Sequence, residues 1–187
     1  MFRSSGKVDV PFMEKLTLLY SREAIAERVR TLSETVNRDY ADKELVLVGI
    51  LRGTFVFLAD LVRLLKVPVL VDFVGVSSYG FGTESSQQIA LTKDLQLPVT
   101  GKHVLIVEDI LDSGLTVDFV LTFLRQRQPA SLRVCTLIDK RERRLIDVPV
   151  DYVGFELEGG FVAGYGIDCA EQYRSLPDIY RVDSGEG

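Results

Sequence analysis

The chain reads as an α/β protein with a mainly parallel sheet flanked by helices. Three observations carry this. Continuous apolar runs such as Leu45–Ile50 and Val104–Val107 have strand length and no alternation, the pattern of parallel strands covered on both faces. Segments with helical spacing lie between such runs, as in βαβ units. The chain is 187 residues long and 47% hydrophobic, which suits one domain (1–187) that buries its core without disulfide staples.

Ser21 caps a helix expected to run to about Tyr40, because Ile25, Val29, Leu32 and Val36 step by helical intervals along one face. Leu45–Ile50 is the first buried strand, and residues 51–54 interrupt it before a helix over Phe55–Leu65. Val69–Val76 is the next strand. Residues 77–93 are rich in Gly, Ser, Thr and Gln and read as a mobile loop or hairpin. Val104–Val107 is a third buried strand, Asp109–Thr116 a turn, and Val117 to about Arg127 a helix. Ser131–Ile138 is a fourth strand, and the basic residues 141–144 read as solvated. Tyr152–Leu157 and Phe161–Tyr165 are short strands joined through Gly159 and Gly160, and the tail after Val182 reads as frayed.

Composition narrows the function. A net charge of -5 argues against a general nucleic-acid surface. Two cysteines and one histidine, His103, cannot build a disulfide framework or a Cys/His zinc cluster. A nucleophilic triad would have to use His103, which reads instead as a strand-edge residue. No apolar stretch approaches the roughly 20 residues of a membrane helix, and residues 1–10 lack the apolar core of a signal peptide. The expectation is a soluble cytoplasmic protein with neither nucleic acid nor membrane as a partner.

In open parallel sheets ligands sit beyond the carboxyl ends of the strands, so those loops carry the functional reading. After Val107 come Glu108 and Asp109, then Asp112, Ser113, Gly114, Leu115 and Thr116 before a helix. Gly114 permits close backbone approach. The unpaired N–H groups of the helix start, with the Ser113 and Thr116 hydroxyls, form a phosphate cradle. Two carboxylates would repel that phosphate, so Glu108 and Asp109 are expected to meet hydroxyls, metal-bound water or both. A phosphate cradle beside two diol-seeking acids fits a phosphorylated ribose. Simple helix capping by Asp112 or Ser113 would leave Glu108 and Asp109 without a role. Neither a Walker loop nor a G-x-G-x-x-G pattern occurs in the chain.

This stretch resembles the phosphoribosyl-pyrophosphate (PRPP) motif of the type I phosphoribosyltransferases. Its Glu-Asp, then Asp-Ser-Gly-x-Thr form is similar to the 6-oxopurine branch, the hypoxanthine-guanine phosphoribosyltransferases. Leu115 resembles the bacterial form, where mammalian relatives carry Lys. The likeness runs from about Leu45 to Val182. It implies the type I fold, with a small hood built from the termini (near 1–20 and 150–187) and a flexible active-site loop at about 77–93 that opens with Ser78 and Tyr79.

The resemblance also implies roles. Arg52 and Gly53, in the segment 51–54, would bind pyrophosphate, with Leu51–Arg52 able to be cis. Arg174 would add a second cation there. Lys140 would contact the purine 6-oxygen, a carbonyl that suits an ammonium donor and so favours hypoxanthine or guanine over adenine. Phe161 would stack on the base and the Val162 backbone would read its edge. Asp168 would hold Mg2+, largely through water, with Glu108 and Asp109 as further metal candidates. Asp112, beside purine N7, would be the general base. PRPP and the base would give IMP or GMP and pyrophosphate, in a homodimer or homotetramer. Three alternatives stand beside this: an RNA-binding regulator on the same fold, an enzyme with another acceptor such as xanthine, and a non-catalytic PRPP binder.

Overall fold

The structure, a computed structural model, describes residues 15–79 and 88–183. Most of the tip of the expected active-site loop, the first part of the expected hood and the tail after Asp183 lie outside the described residues.

Twelve elements follow in order: β1 (Lys15–Tyr20), α1 (Arg22–Asp39), β2 (Leu45–Leu51), α2 (Phe55–Leu64), β3 (Val69–Tyr79), β4 (Gln88–Lys93), β5 (His103–Leu111), α3 (Leu115–Arg125), β6 (Ser131–Lys140), β7 (Tyr152–Leu157), β8 (Phe161–Ala163) and β9 (Ile179–Asp183). Six strands form one sheet in the order β4-β3-β2-β5-β6-β7. Its pairings are parallel except for β3 with β4 at one edge. The other three form an antiparallel sheet, β1-β9-β8.

The pleat of the parallel strands explains their unbroken apolar runs. On β2, Leu45 and Leu47 join a core with Ile25, Val29 and Val36 of α1 and Phe57 and Leu61 of α2. Val46, Val48 and Ile50 point the other way, into a core with Val117, Val120, Leu121 and Leu124 of α3. Both faces are therefore covered. Ser21 caps α1 as expected, accepting a hydrogen bond from Ala24 N at 3.3 Å.

Several boundaries differ from the sequence reading. β5 runs four residues past Val107, so Glu108 and Asp109 lie in a strand rather than at its end. The reason is tertiary: Glu108, Ile110 and Leu111 continue the parallel register with Thr136, Ile138 and Asp139 of β6. The turn shrinks to residues 112–114, and Leu115 and Thr116 start α3. In the segment 77–93, read as a mobile loop or hairpin, Ser78 and Tyr79 pair antiparallel with Ile89 and Gln88. The side chains of Ser78 and Tyr79 lie outside the described residues. Within the expected hood range 150–187, β7 pairs with β6 at the edge of the large sheet. The chain leaves that sheet only after Leu157. β1 and β9, which no pattern in the sequence marked, hold the small sheet together across the chain, Lys15 facing Asp183.

Candidate active site

β2, β5 and β6 run in one direction, and their carboxyl ends bring three loops together. After β2 comes a turn that begins with a cis Leu51–Arg52 peptide. A Cβ on Gly53 would lie 1.8 Å from Asp109 Oδ2, so only glycine lets the acid sit against this turn. Thr54 Oγ1, buried, donates to Val107 O at 3.1 Å and fastens the turn to β5. Arg52 reaches outward and meets Glu171 Oε1 at 2.5 Å.

The second loop holds the acids. Glu108 and Asp109 are both buried. Glu108 Oε2 has no hydrogen-bond partner among the described residues. Burial, then the charge of Asp109, pushes the Glu108 carboxyl well above its ordinary range. Asp109 is pushed up to about 6, chiefly by burial, with backbone donors and Arg174 opposing the shift and Asp168 adding to it. Asp112 Oδ2 accepts from Lys140 Nζ at 3.0 Å, while its Oδ1 is buried without a partner among the described residues. These are acceptor atoms removed from water and left open, the condition in which a bound hydroxyl or proton donor gains most.

Gly114 occupies the N-cap of α3 with φ 85° and makes no side-chain cap hydrogen bond. The helix start is thus not capped by Asp112 or Ser113. The Ser113 Oγ makes only a long contact, 3.4 Å, from Leu115 N. The N-terminal N–H groups of α3, beside the hydroxyl-bearing Ser113 and Thr116, are placed to receive an anion.

The third loop follows β6. Lys140 is almost fully buried, and its Nζ lies 5.8 Å from the centroid of the Phe161 ring. Phe161 is 53% exposed, so its ring stands at the surface rather than in the core. Val162, next in β8, is buried. Arg143 lies over the same ring at 5.0 Å.

The segment after β8 closes the remaining side. A Cβ on Gly166 would lie 2.4 Å from Gly53 O, so this segment packs directly on the β2 turn. Tyr165 OH donates to Asp60 Oδ2 of α2 at 2.6 Å and anchors it. Arg174 binds Asp168 Oδ1 at 2.6 Å and Gly166 O at 2.8 Å. Asp168 Oδ2 accepts from Glu171 N at 2.9 Å.

Glu108, Asp109 and Asp168 do not form a ready direct metal cage. Among the described residues, no three His, Cys, Asp or Glu side chains converge on a common point suited to an ion. Hard carboxylate oxygens, one of them an orphan on Glu108, do fit Mg2+ held by one or two carboxylates with water and substrate phosphate completing the shell.

Sequence reading missed one participant. Arg144 sits in the basic run expected to be solvated, yet its side chain is only 15% exposed. It donates to Asp112 O at 2.9 Å and to Leu111 O at 3.3 Å, within the loop the sequence singled out. A run of charges carries no local sign that one member turns inward.

This constellation at the ends of parallel strands is that of an enzyme handling a phosphorylated sugar. The phosphoribosyl transferase domain model matches residues 16–170, and the chain belongs to that family. It is similar to the hypoxanthine phosphoribosyltransferase of Haemophilus influenzae, 46% identical over 168 residues, which cover 88% of this chain and 94% of that one. It is also similar to the hypoxanthine-guanine phosphoribosyltransferase of Aquifex aeolicus, 45% identical over 171 residues, covering 91% of this chain and 96% of that one. Among solved structures, a hypoxanthine-guanine phosphoribosyltransferase from Bacillus anthracis superposes with a TM-score of 0.84 at 44% identity, covering 90% of this chain and 98% of that one.

Proposed function

We propose that the protein is a purine-salvage enzyme that transfers the 5-phosphoribosyl group of PRPP to N9 of hypoxanthine or guanine, giving IMP or GMP and pyrophosphate. The observation that carries this reading is the Lys140–Asp112 pair beside the exposed ring of Phe161. A purine stacked on Phe161 presents its edge to the Lys140 ammonium, which can donate to a 6-carbonyl and cannot accept from a 6-amino group. The Val162 backbone would read the same base.

The 5′-phosphate would bind the start of α3, at residues 112–116. Glu108 and Asp109 would accept hydrogen bonds from the ribose 2′ and 3′ hydroxyls. In the reaction the bond from C1′ to pyrophosphate breaks and its electron pair departs with pyrophosphate. The N9–C1′ bond forms, and the proton on N7 passes to Asp112. Arg52, Arg174 and the Gly53 backbone would bind the pyrophosphate, which requires Arg52 to leave Glu171 and Arg174 to loosen from Asp168. Mg2+, held by Asp168 with help from Glu108 and Asp109, would neutralise pyrophosphate charge when bound. The hairpin that begins with Ser78 and Tyr79 would cover the reacting carbon and exclude water. The protein would act in the cytoplasm as a homodimer or homotetramer, both by family resemblance. No helix of the described residues is long and apolar enough to cross a membrane.

The test is turnover with PRPP, magnesium and hypoxanthine, guanine, xanthine, adenine or uracil offered singly, with pyrophosphate release recorded. Turnover is expected with hypoxanthine, guanine or both. PRPP binding without turnover of any base would overturn the enzymatic reading in favour of a regulator.

A further inference from the structure

Arg144 donates to the backbone of both candidate loops, after β5 and at the end of β6. Its Nε donates to Asp112 O at 2.9 Å, and its Nη2 lies 3.3 Å from Leu111 O and 3.2 Å from Lys140 O. The same Nη2 binds Asp139 Oδ1. Asp139 is itself buried, 2% exposed, and neutralises the guanidinium where water cannot. The residues after Arg144 extend the clamp: Leu145 N and Ile146 N both donate to Ser113 O, at 2.9 and 3.1 Å. A Cβ on Gly114 would lie 2.2 Å from Ile146 O, so the two loops are in direct contact.

We infer that Arg144 is a positioning residue for phosphoribosyl transfer, with Asp139 as its counter-ion. One planar guanidinium ties the carbonyl of the general-base candidate, Asp112, to the carbonyl of the purine-reading Lys140. It thereby sets the distance between the phosphate loop after β5 and the base site after β6. A lysine supplies the charge but not the fork, so it satisfies Asp139 and leaves at least one loop carbonyl without its donor. The inference rests on the phosphoribosyl-transfer reading given above.

The experiment compares the full-length parent with Arg144→Lys, Arg144→Ala and Arg141→Met, measuring kcat and both KM values with PRPP and hypoxanthine, alongside thermal melting. Arg141 also pairs with Asp139, at 3.2 Å, but from solvent, with its side chain 69% exposed. Misplacement of the reacting groups by Arg144→Lys lowers kcat by about a hundredfold. Loss of the ordered phosphate loop raises the PRPP KM about tenfold, while the hypoxanthine KM stays within about threefold because Phe161 and the Lys140 ammonium are untouched. Arg141→Met retains parent kinetics. Added guanidinium ion restores part of the kcat of Arg144→Ala, a response that a purely structural loss does not give. Parent kinetics in both Arg144 variants would overturn the inference. So would a fall in kcat that tracks the fraction unfolded and ignores guanidinium. An inactive parent would instead overturn the phosphoribosyl-transfer reading, so the two failures are distinguishable.

Discussion

Asp72 and Glu108 are carboxylates on strands of the same sheet, 7% and 8% exposed, and the protein treats them in opposite ways. Asp72 is fully engaged. It accepts from Phe73 N at 2.7 Å, Gln96 N at 2.6 Å, Leu97 N at 2.8 Å and Lys93 Nζ at 3.3 Å. Burial alone would raise its pKa, but these backbone donors and Lys93 outweigh it and hold the carboxyl below its ordinary range. Glu108 has an orphan oxygen and an acidic neighbour, and stands well above its ordinary range. One carboxylate's hydrogen bonds are made within the fold, pinning the base of the β3–β4 hairpin. The other keeps an oxygen without a partner among the described residues. Degree of burial says nothing about which is which; the inventory of donors does.

The contrast predicts separable mutational effects. The largest belongs to Asp112, whose Oδ1 is also left open. Asp112→Asn is expected to cut kcat by about 10²- to 10⁴-fold with PRPP binding largely intact, the usual worth of a general base. Steady-state kinetics with a PRPP binding isotherm check it, and an unchanged kcat removes Asp112 from proton transfer. Next, Glu108→Gln is expected to lower kcat/KM for PRPP by about 10- to 100-fold, the worth of a hydrogen bond to a charged group. Its melting temperature should equal or exceed the parent's, because a buried acid with an unpartnered oxygen beside Asp109 becomes a neutral amide. A destabilised Glu108→Gln with full activity would reverse the comparison.

Asp72→Asn should do the opposite. It weakens a charge-assisted set of bonds and costs about 2 kcal/mol, which lowers the melting temperature by about 4–8 °C in a chain of this size. kcat/KM at 25 °C should stay within about twofold, since Asp72 meets no site residue. The smallest effect is a pH dependence that sharpens the assignment. Because the folded pKa of Asp72 is depressed, its stabilisation is present in full above the unfolded value of about 3.9 and is lost as pH falls through the folded value. The stability gap between parent and Asp72→Asn, followed by urea unfolding, should be constant from neutral pH to about 5 and close below about 4. A gap that widens on acidification would contradict the assignment.

The same contrast explains what could be read in the sequence. The candidate loop 108–116 stood out in the sequence because its chemistry is local: acids, hydroxyls and a glycine stand within nine residues between a buried strand and a helix. The two cores of the large sheet were legible because apolar runs of strand length have few other uses. Arg144 was not, because its inward turn depends on carbonyls of Leu111 and Asp112, more than thirty residues away. Asp72 was equally silent, since its donors Gln96 and Leu97 arrive only through the hairpin. The end of β5 was misplaced because pairing with β6 carries acidic residues into the strand against their local preference. β1 and β9 escaped because each is short and finds its partner across nearly the whole chain.

That last pairing sets an order of events during synthesis. By the time Leu157 has left the ribosome, all six strands of the large sheet exist, along with the phosphate loop and Lys140. Phe161 pairs with Val182, and β1 has waited since residue 15 for the same strand. β9 therefore completes two pairings at once. If the proposed roles hold, a nascent chain halted before residue 179 has the loop 108–116 formed but no fixed place for Phe161. Binding of PRPP and binding of purine should be acquired at different chain lengths, in that order.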